Sequence, residues 1–137
     1  MNATDREGRR AIETEDAPEP IGPYSQALVA ADVLYCSGQV PLDPETGELV
    51  EGGIAEQARR CLQNLAAVCM AAGAPLEDAA RITIYVTEIE SFTAVNEVYA
   101  EFFSEPFPVR STVGVAALPK GAMVEMDATV PLGGRPS

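Results

Sequence analysis

The sequence IAEQARRCLQNLAAVCMAAGAPLEDAARITIYVT, residues 54–87, combines two periodicities that identify a helix followed by a strand. Apolar residues recur every three or four positions from Ile54 to Ala72, which is the spacing of one face of an amphipathic helix. Gly73 and Pro75 follow this pattern, and both are typical of a helix end. Residues 81–87 then alternate and are rich in β-branched side chains, which predicts a strand.

The chain on either side of this unit adds one more helix and five more strands. A second apolar face predicts a helix from Ser91, which can cap it, to about Ser104, before two prolines. Two short apolar runs on either side of Ala31 and Asp32 predict a tight hairpin. The five further strands are predicted near residues 11–14 and at residues 27–30, 33–37, 110–116 and 122–130.

The order of elements is β-β-β-α-β-α-β-β, which has too few helices to cover both faces of a sheet. We therefore expect an α+β fold, with two helices on one face of a mixed six-stranded sheet. The opposite face would carry Val113, Val115 and Val124, and an uncovered apolar face predicts an oligomer. Residues 1–16 are expected to form a flexible arm, residues 17–132 the domain and residues 133–137 a tail.

Composition narrows the range of functions for a single domain of 137 residues. The formal net charge is −12, which argues against nucleic acid as a partner. Histidine is absent, so no Ser-His-Asp or Cys-His site and no imidazole ligand for zinc can form. The three cysteines contain no C-x-x-C pair and predict reduced thiols, hence a cytoplasmic protein. A polar N-terminus predicts no signal peptide, and no apolar run is long enough to predict a membrane span.

Two charged residues are the strongest candidates for chemistry. Arg110 begins a predicted strand and can fork onto a carboxylate, although an ordinary ion pair with one of 21 acidic residues explains it as well. Glu125 is a candidate base in a chain without histidine, but Asp127 shares its strand face, so a solvated polar face is the alternative.

Weaker signals come from short polar residues near turns. Tyr24 follows a Gly-Pro turn, and Gly38 after Ser37 lets a ligand approach the backbone. Asn96 on the second helix can pair with a neighbour or line a pocket. Each of the four is explained equally by a structural role.

Four sequence blocks add a resemblance. They are IGPYSQ at residues 21–26, YCSGQVP at 35–41, FPVRSTV at 107–113 and LPKGAMVEM at 118–126. In this order they resemble the blocks of the RidA (YjgF) family of reactive enamine and imine deaminases. The resemblance extends over about residues 17–130, nearly the whole domain.

The resemblance implies two catalytic roles. Arg110 matches the family arginine that binds the substrate carboxylate, and Glu125, fifteen positions later, matches the acid that positions the attacking water. Thr112 stands where many members have cysteine, which removes a reactive thiol but keeps a small polar side chain among the substrate-binding residues.

The other implied substrate-binding roles fall on four residues. Tyr24, Ser37 and Gly38 match the pocket wall and the backbone contacts around the imine end, and Asn96 matches a polar group of the pocket. The connection at residues 104–107 is shorter than in many members, which can reshape one rim of the pocket.

The resemblance also implies an assembly and a reaction. The family fold is chorismate-mutase-like, with three subunits whose sheets form a central barrel and whose pockets lie between subunits. The implied reaction is hydrolysis of 2-iminobutanoate and 2-iminopropanoate to 2-keto acids and ammonia, with no cofactor and no metal. Two alternatives stay open: a family branch acting on a different imine or enamine in a catabolic pathway, and a non-catalytic small-molecule-binding or chaperone-like trimer.

Overall fold

The computed structural model describes residues 5, 6 and 8–133, and these residues form one mixed sheet with two helices. The elements are β1 (Asp5–Arg6), β2 (Arg9–Ile12), β3 (Ala27–Ala30), β4 (Val33–Gln39), α1 (Ile54–Ala72), β5 (Arg81–Val86), α2 (Phe92–Tyr99), β6 (Val109–Gly114) and β7 (Val124–Pro131). The strand order is β1-β2-β3-β4-β7-β5-β6, and β5 pairs with β6 in parallel while the other pairs are antiparallel. The predicted α+β class, with six strands and two helices, is confirmed, and the two-residue β1 is an additional edge strand.

The hairpin predicted around residues 31 and 32 joins β3 to β4. Ala31 and Asp32 have φ angles of 50° and 60°. Two consecutive residues in the left-handed region form the turn whose twist matches that of the flanking strands. This turn places Ala30 opposite Val33, and the remaining pairs of the hairpin follow in register as far as Ala27 opposite Cys36.

Helix α1 begins and ends where its sequence predicts. Gly73 follows it with a φ of 75°, and its N–H donates to the carbonyl of Met70 at 3.1 Å. At the other end the Glu56 carboxylate accepts a hydrogen bond from the N–H of Gly53 at 2.8 Å. The stripe facing the sheet is fully buried and consists of Ala58, Cys61, Leu62, Leu65, Val68 and Cys69.

Helix α2 is shorter than predicted, although Ser91 stands at its N-cap position as predicted. It ends at Tyr99 rather than near residue 104, and the Ser91 side chain makes no capping hydrogen bond. Beyond the helix, Glu101 and Phe102 donate to the carbonyls three residues earlier, so the chain tightens into turns before Pro106. Phe103 returns to the core through these turns and packs on the Tyr99 ring, with ring centroids 4.5 Å apart.

The two faces of the sheet differ in cover. On β7 the residues from Val124 to Val130 alternate, and the even-numbered ones are buried beneath the helices. The prediction that Val124 lies on the bare face is therefore wrong, because it pairs with the buried Val86. Val113 does lie on the other face and is 41% exposed. This open face, which neither helix covers, comprises Tyr35 on β4, Thr83 and Tyr85 on β5, Val113 on β6, and Glu125, Asp127 and Thr129 on β7.

The segment before β3 is held to the sheet by one buried side chain. Gln26 donates to the carbonyls of Thr14 and Pro18 at 3.0 and 2.9 Å, and its oxygen accepts from the Thr14 N–H at 2.7 Å. The strand predicted near residues 11–14 lies at Arg9–Ile12, where it pairs with β3.

The domain limits at residues 17 and 132 stay predictions, and residues 1–4, 7 and 134–137 of the predicted arm and tail lie outside the described residues. Neither described helix is long and apolar enough to cross a membrane.

Candidate active site

Arg110 lies on the helix-covered face of the edge strand β6, where two aromatic rings hold its guanidinium group. The guanidinium carbon is 5.3 Å from the centre of the Phe92 ring and 4.8 Å from that of Tyr99. Such cation–π contacts fix a guanidinium group without neutralising its charge. Among the described residues no carboxylate pairs with it, and the chain carries a large excess of acids. Its charge and its N–H groups are therefore available to an anion.

Asn96 and Thr112 lie close to this arginine. Asn96 on α2 lines a shallow cleft with Tyr99, Phe107 and Arg110. Thr112 is two residues along β6 and therefore on the same face, and its buried hydroxyl has no hydrogen-bond partner among the described residues. We call Arg110, Asn96 and Thr112 the arginine cluster.

Glu125 lies on the open face, and its carboxylate packs against Gly38. A Cβ atom at residue 38 would lie 2.9 Å from the Glu125 carboxyl carbon, so the Glu125 side chain would have to move to admit any other residue there. The approach is possible because Ser37 and Gly38 form a bulge in β4, where two residues face the single Asp127 of β7. Burial, with Asp127 as a second cause, raises the pKa of the Glu125 carboxyl above its ordinary value.

Tyr24 and Ser37 line a second cleft, next to this bulge. The Ser37 hydroxyl donates to the carbonyl of Ser25 at 2.6 Å, which anchors the loop that carries Tyr24. The Tyr24 ring is half exposed, and its hydroxyl oxygen accepts from the N–H of Ile21 at 3.3 Å. We call Tyr24, Ser37, Gly38 and Glu125 the glutamate cluster.

The two clusters do not meet within one chain. Arg110 is on β6 and Gly38 is on β4, with β5 and β7 between them. Three strand spacings amount to about 14 Å, which exceeds the length of a small keto or imino acid. Arg110 and Glu125 also point from opposite faces of the sheet. The seven predicted site residues thus lie in two separate clusters, which would be two half-sites if the prediction holds.

Sequence reasoning missed four residues that surround these half-sites. Phe92 and Tyr99 were interpreted as core, although their spacing with Asn96 places all three on one face of α2. Tyr85 donates a hydrogen bond to Asp127 at 3.0 Å beside Glu125. Strand alternation places Asp127 on the same face as Glu125. No signal in the sequence indicates that Tyr85 and Asp127 are hydrogen-bonded to each other.

Comparison with known families identifies the family to which the chain belongs. The sequence model of the endoribonuclease L-PSP family, which includes the RidA proteins, matches residues 14–131. The chain belongs to the RidA family. The resemblance carried by the four sequence blocks is thereby confirmed.

Individual family members show how close the relationship is. A RutC family protein of Pyrococcus abyssi is 46% identical over 120 residues, which are 88% of this chain and 94% of that protein. The human 2-iminobutanoate/2-iminopropanoate deaminase is 43% identical over 120 residues, 88% of each chain. The crystal structure of E. coli TdcF with bound serine has a TM-score of 0.85 and 36% identity, and the match covers 90% of this chain and 99% of that one.

Proposed function

We propose that the protein is a homotrimeric hydrolase that converts 2-iminobutanoate and 2-iminopropanoate to 2-keto acids and ammonia. The observation that carries the proposal is the guanidinium group of Arg110, which contacts two aromatic rings and pairs with no carboxylate among the described residues. In a chain of net charge −12, a cation without an acidic partner is suited to an anionic ligand. The human relative named for this activity and the serine-bound E. coli structure support an amino-acid-sized substrate.

Arg110 would bind the substrate carboxylate through two parallel hydrogen bonds. Phe92 and Tyr99 hold the plane of the guanidinium group, so little side-chain entropy remains to be lost when the substrate binds. Asn96 and Thr112 offer an amide and a hydroxyl group beside it. The arginine cluster therefore accounts for recognition of the acid end of the substrate.

Glu125 would position the attacking water and accept its proton. Water adds to the imine carbon, the C=N double bond becomes a single bond, and the nitrogen takes up a proton. Collapse of the resulting carbinolamine forms the C=O bond and expels ammonia, which leaves the 2-keto acid. No electrons are transferred to an outside acceptor, and such imines hydrolyse in water unaided. Binding, orientation and proton transfer are therefore sufficient, and the reaction calls for no cofactor or metal.

A trimer would bring the two half-sites together. In one chain Arg110 and Glu125 leave opposite faces of the sheet with β5 between their strands, so a small substrate reaches both only if two subunits each contribute one. Arg110 is on the edge strand β6, where a second subunit can approach. The open face carries Tyr35 and Val113, 49% and 41% exposed, which packing of three sheets into a central barrel would bury. We propose that each site combines the arginine cluster of one subunit with the glutamate cluster of its neighbour.

Charge and composition support two further parts of the proposal. A net charge of −12 disfavours RNA as a substrate, since binding a phosphate backbone depends on lysine and arginine. The three cysteines are buried free thiols, which suits a reducing compartment such as the cytoplasm.

A coupled assay tests the activity. Threonine dehydratase generates the imine in the presence of semicarbazide, which traps whatever imine is free. We expect the wild-type protein to lower semicarbazone formation and the Arg110→Ala trimer to have no effect. Arg59→Ala is the matched control, because Arg59 is an exposed arginine of α1 that pairs with Glu101 in the turn after α2. Equal protection by wild type and Arg110→Ala would refute the role of Arg110, and no protection by the wild type would favour another imine or a binding role.

A further inference from the structure

We propose that Asp127, held by a hydrogen bond from Tyr85, is a positioning residue that makes Glu125 the proton carrier of this site. The inference rests on the proposed function and extends it to two residues outside the seven predicted ones. It follows from how three side chains are arranged on the open face of the sheet.

The arrangement follows from the strand register. Glu125 and Asp127 are two residues apart on β7, so their side chains leave the same face about 7 Å apart along the strand. Tyr85 pairs directly with Glu125 across β5 and β7. Its hydroxyl nevertheless reaches diagonally to the carboxylate of Asp127 and donates a hydrogen bond at 3.0 Å. The three side chains therefore form one contiguous group.

The hydrogen bond makes the two carboxyl groups unequal. The Tyr85 hydroxyl donates to the Asp127 carboxylate and holds it in place beside Glu125. No such donor to Glu125 is found among the described residues, and Glu125 is half-buried against the backbone of Gly38. Burial and the charge of Asp127 raise the pKa of Glu125, so Glu125 holds a proton more readily than an ordinary glutamate. Two neighbouring carboxyl groups whose surroundings differ in this way divide into a fixed charge and a proton carrier.

The other charged and titratable groups near Glu125, among the described residues, begin with Arg9 and Tyr24, which line the cleft next to the bulge in β4. On the open face, Arg81 of β5 lies beyond Asp127 and donates to the Ser111 hydroxyl at 3.1 Å, and Tyr35 of β4 pairs with Thr129. Beneath the sheet, the Cys61 thiol of α1 has a raised pKa, caused mainly by burial and partly by the charge of Glu125. In the proposed trimer the neighbouring Arg110 also faces this site, and the substrate carboxylate neutralises it on binding. Asp127 is therefore the closest fixed negative charge.

This arrangement matches what the reaction requires. The group that takes a proton from water must hold it and then release it to the departing nitrogen. A carboxyl group of ordinary acidity is a weak base at neutral pH, and proximity to a fixed negative charge strengthens it. Burial and the charge of Asp127 both raise the pKa of Glu125, which is the direction that this role requires.

Direct titration of Glu125 tests the inference without relying on catalysis. The full chain is labelled with ¹³C at the glutamate carboxyl groups, and Glu125 is assigned from the Glu125→Gln spectrum. We expect Asp127→Asn to lower the titration midpoint of Glu125 by about half a pH unit or more. Tyr85→Phe should lower it in the same direction by less, because the Asp127 carboxylate then loses the hydrogen bond that holds it beside Glu125. Glu97→Gln, which removes an exposed carboxylate on α2, should leave the midpoint unchanged.

The pH profile of kcat/KM connects this titration to the reaction. Its acid limb should move downward in Asp127→Asn by the same amount as the Glu125 midpoint. An unchanged midpoint in both Asp127→Asn and Tyr85→Phe, with intact trimers, overturns the inference. If the wild type proves inactive toward imines, the proposed function is refuted. The Glu125 titration midpoints then decide by themselves whether Asp127 controls the proton affinity of Glu125. A shifted midpoint with an unmoved acid limb overturns the role of Asp127 in proton transfer.

Discussion

The Glu125 carboxylate occupies the space that a side chain at residue 38 would fill. A Cβ at Gly38 would lie 2.9 Å from the carboxyl carbon of Glu125 and 3.3 Å from its Cγ. The two residues are on neighbouring strands, and the bulge in β4 brings the Gly38 backbone against the β7 side chain. The position of the proposed catalytic carboxylate therefore depends on the absence of a side chain on another strand.

Gly38→Ala should displace Glu125 and lower kcat by about tenfold to a hundredfold, since a misplacement of the order of 1 Å costs that much. The substitution should also destabilise the fold by about 1 to 3 kcal/mol through overpacking. In a Glu125→Ala background that cost should largely disappear, because the colliding carboxylate is gone. Gly114→Ala is the control, since a Cβ there has its nearest neighbour, Ile89, at 4.0 Å. Equal destabilisation by Gly38→Ala in both backgrounds would contradict the proposed collision.

Mixed trimers should recover activity that neither parent has. Arg110→Ala and Glu125→Gln each remove one half-site, so each pure trimer should be inactive. If one subunit supplies Arg110 and its neighbour supplies Glu125, unfolding and reassembling the two variants together restores some complete sites. Random mixing of equal amounts should give about a quarter of wild-type activity, as most trimers then contain one intact site of three. No recovery, with mixed trimers verified by mass, would place both residues of each site in one subunit.

Phe92 should affect binding rather than chemistry, because its ring lies 5.3 Å from the Arg110 guanidinium group and far from Glu125. Phe92→Leu should raise KM by about twofold to fivefold, the value of one exposed cation–π contact, with little change in kcat. Phe92→Tyr keeps an aromatic face and should behave like the wild type. Steady-state kinetics with the coupled assay measure both constants, and a loss confined to kcat would contradict the positioning role.

The sequence allowed much of this fold to be predicted, because most elements rest on local patterns. The periodicity from Ile54 and the glycine at residue 73 defined α1 to the residue. The same reasoning placed Val124 on the wrong face, because alternation shows which residues share a face but not which face is covered. The last turn of α2 was lost because hydrogen bonds to the third preceding residue replace helical ones after Tyr99.

The candidate site was predictable as a set of residues but not as an arrangement. Arg110 and Glu125 came from four sequence blocks, whereas their position on opposite faces depends on the pairing of β6 with β5 and of β5 with β7. The Tyr85–Asp127 hydrogen bond joins residues 42 positions apart. Such relationships are set by sheet register, which short-range patterns do not determine.

Asn64 should be essential for stability, although it is distant from both half-sites. Its fully buried amide donates to the carbonyls of Val40 and Leu42 at 3.2 and 3.0 Å, and so ties the loop after β4 to α1. Asn64→Leu would remove the amide donor from the Leu42 carbonyl, while the Val40 carbonyl keeps the N–H of Leu42 at 2.8 Å, and should cost about 1 to 3 kcal/mol in the free energy of unfolding. Gln63→Leu, an exposed neighbour on the same helix, is the control. Denaturant unfolding of the two variants would contradict the expectation if their midpoints were equal.

Glu125→Gln should make the free energy of unfolding less sensitive to rising pH. Burial and Asp127 raise the pKa of Glu125 in the folded state above that of the unfolded chain. The folded protein then holds this proton more tightly, so the contribution of Glu125 to stability is greatest below the ordinary glutamate pKa and is lost as pH rises through the raised one. Glutamine does not titrate, and the difference in unfolding free energy between Glu125→Gln and wild type should increase with pH across that window. The increase should stay below about 1 kcal/mol, because water screens a half-exposed carboxylate.

Denaturant unfolding at one fixed protein concentration, repeated from pH 3 to pH 8, measures this difference. Glu97→Gln provides the baseline, since an exposed carboxylate should give a difference that is nearly independent of pH. Both proteins carry Arg110→Ala and no substrate is present, because the guanidinium group of the neighbouring Arg110 in the proposed trimer would oppose the effect of Asp127 on Glu125. A Glu125→Gln difference that shrinks as pH rises would show that the carboxylate is stabilised by a cation on folding. Its proximity to Asp127 would then not be the dominant influence, and Glu125 would be a fixed charge rather than a carrier of protons.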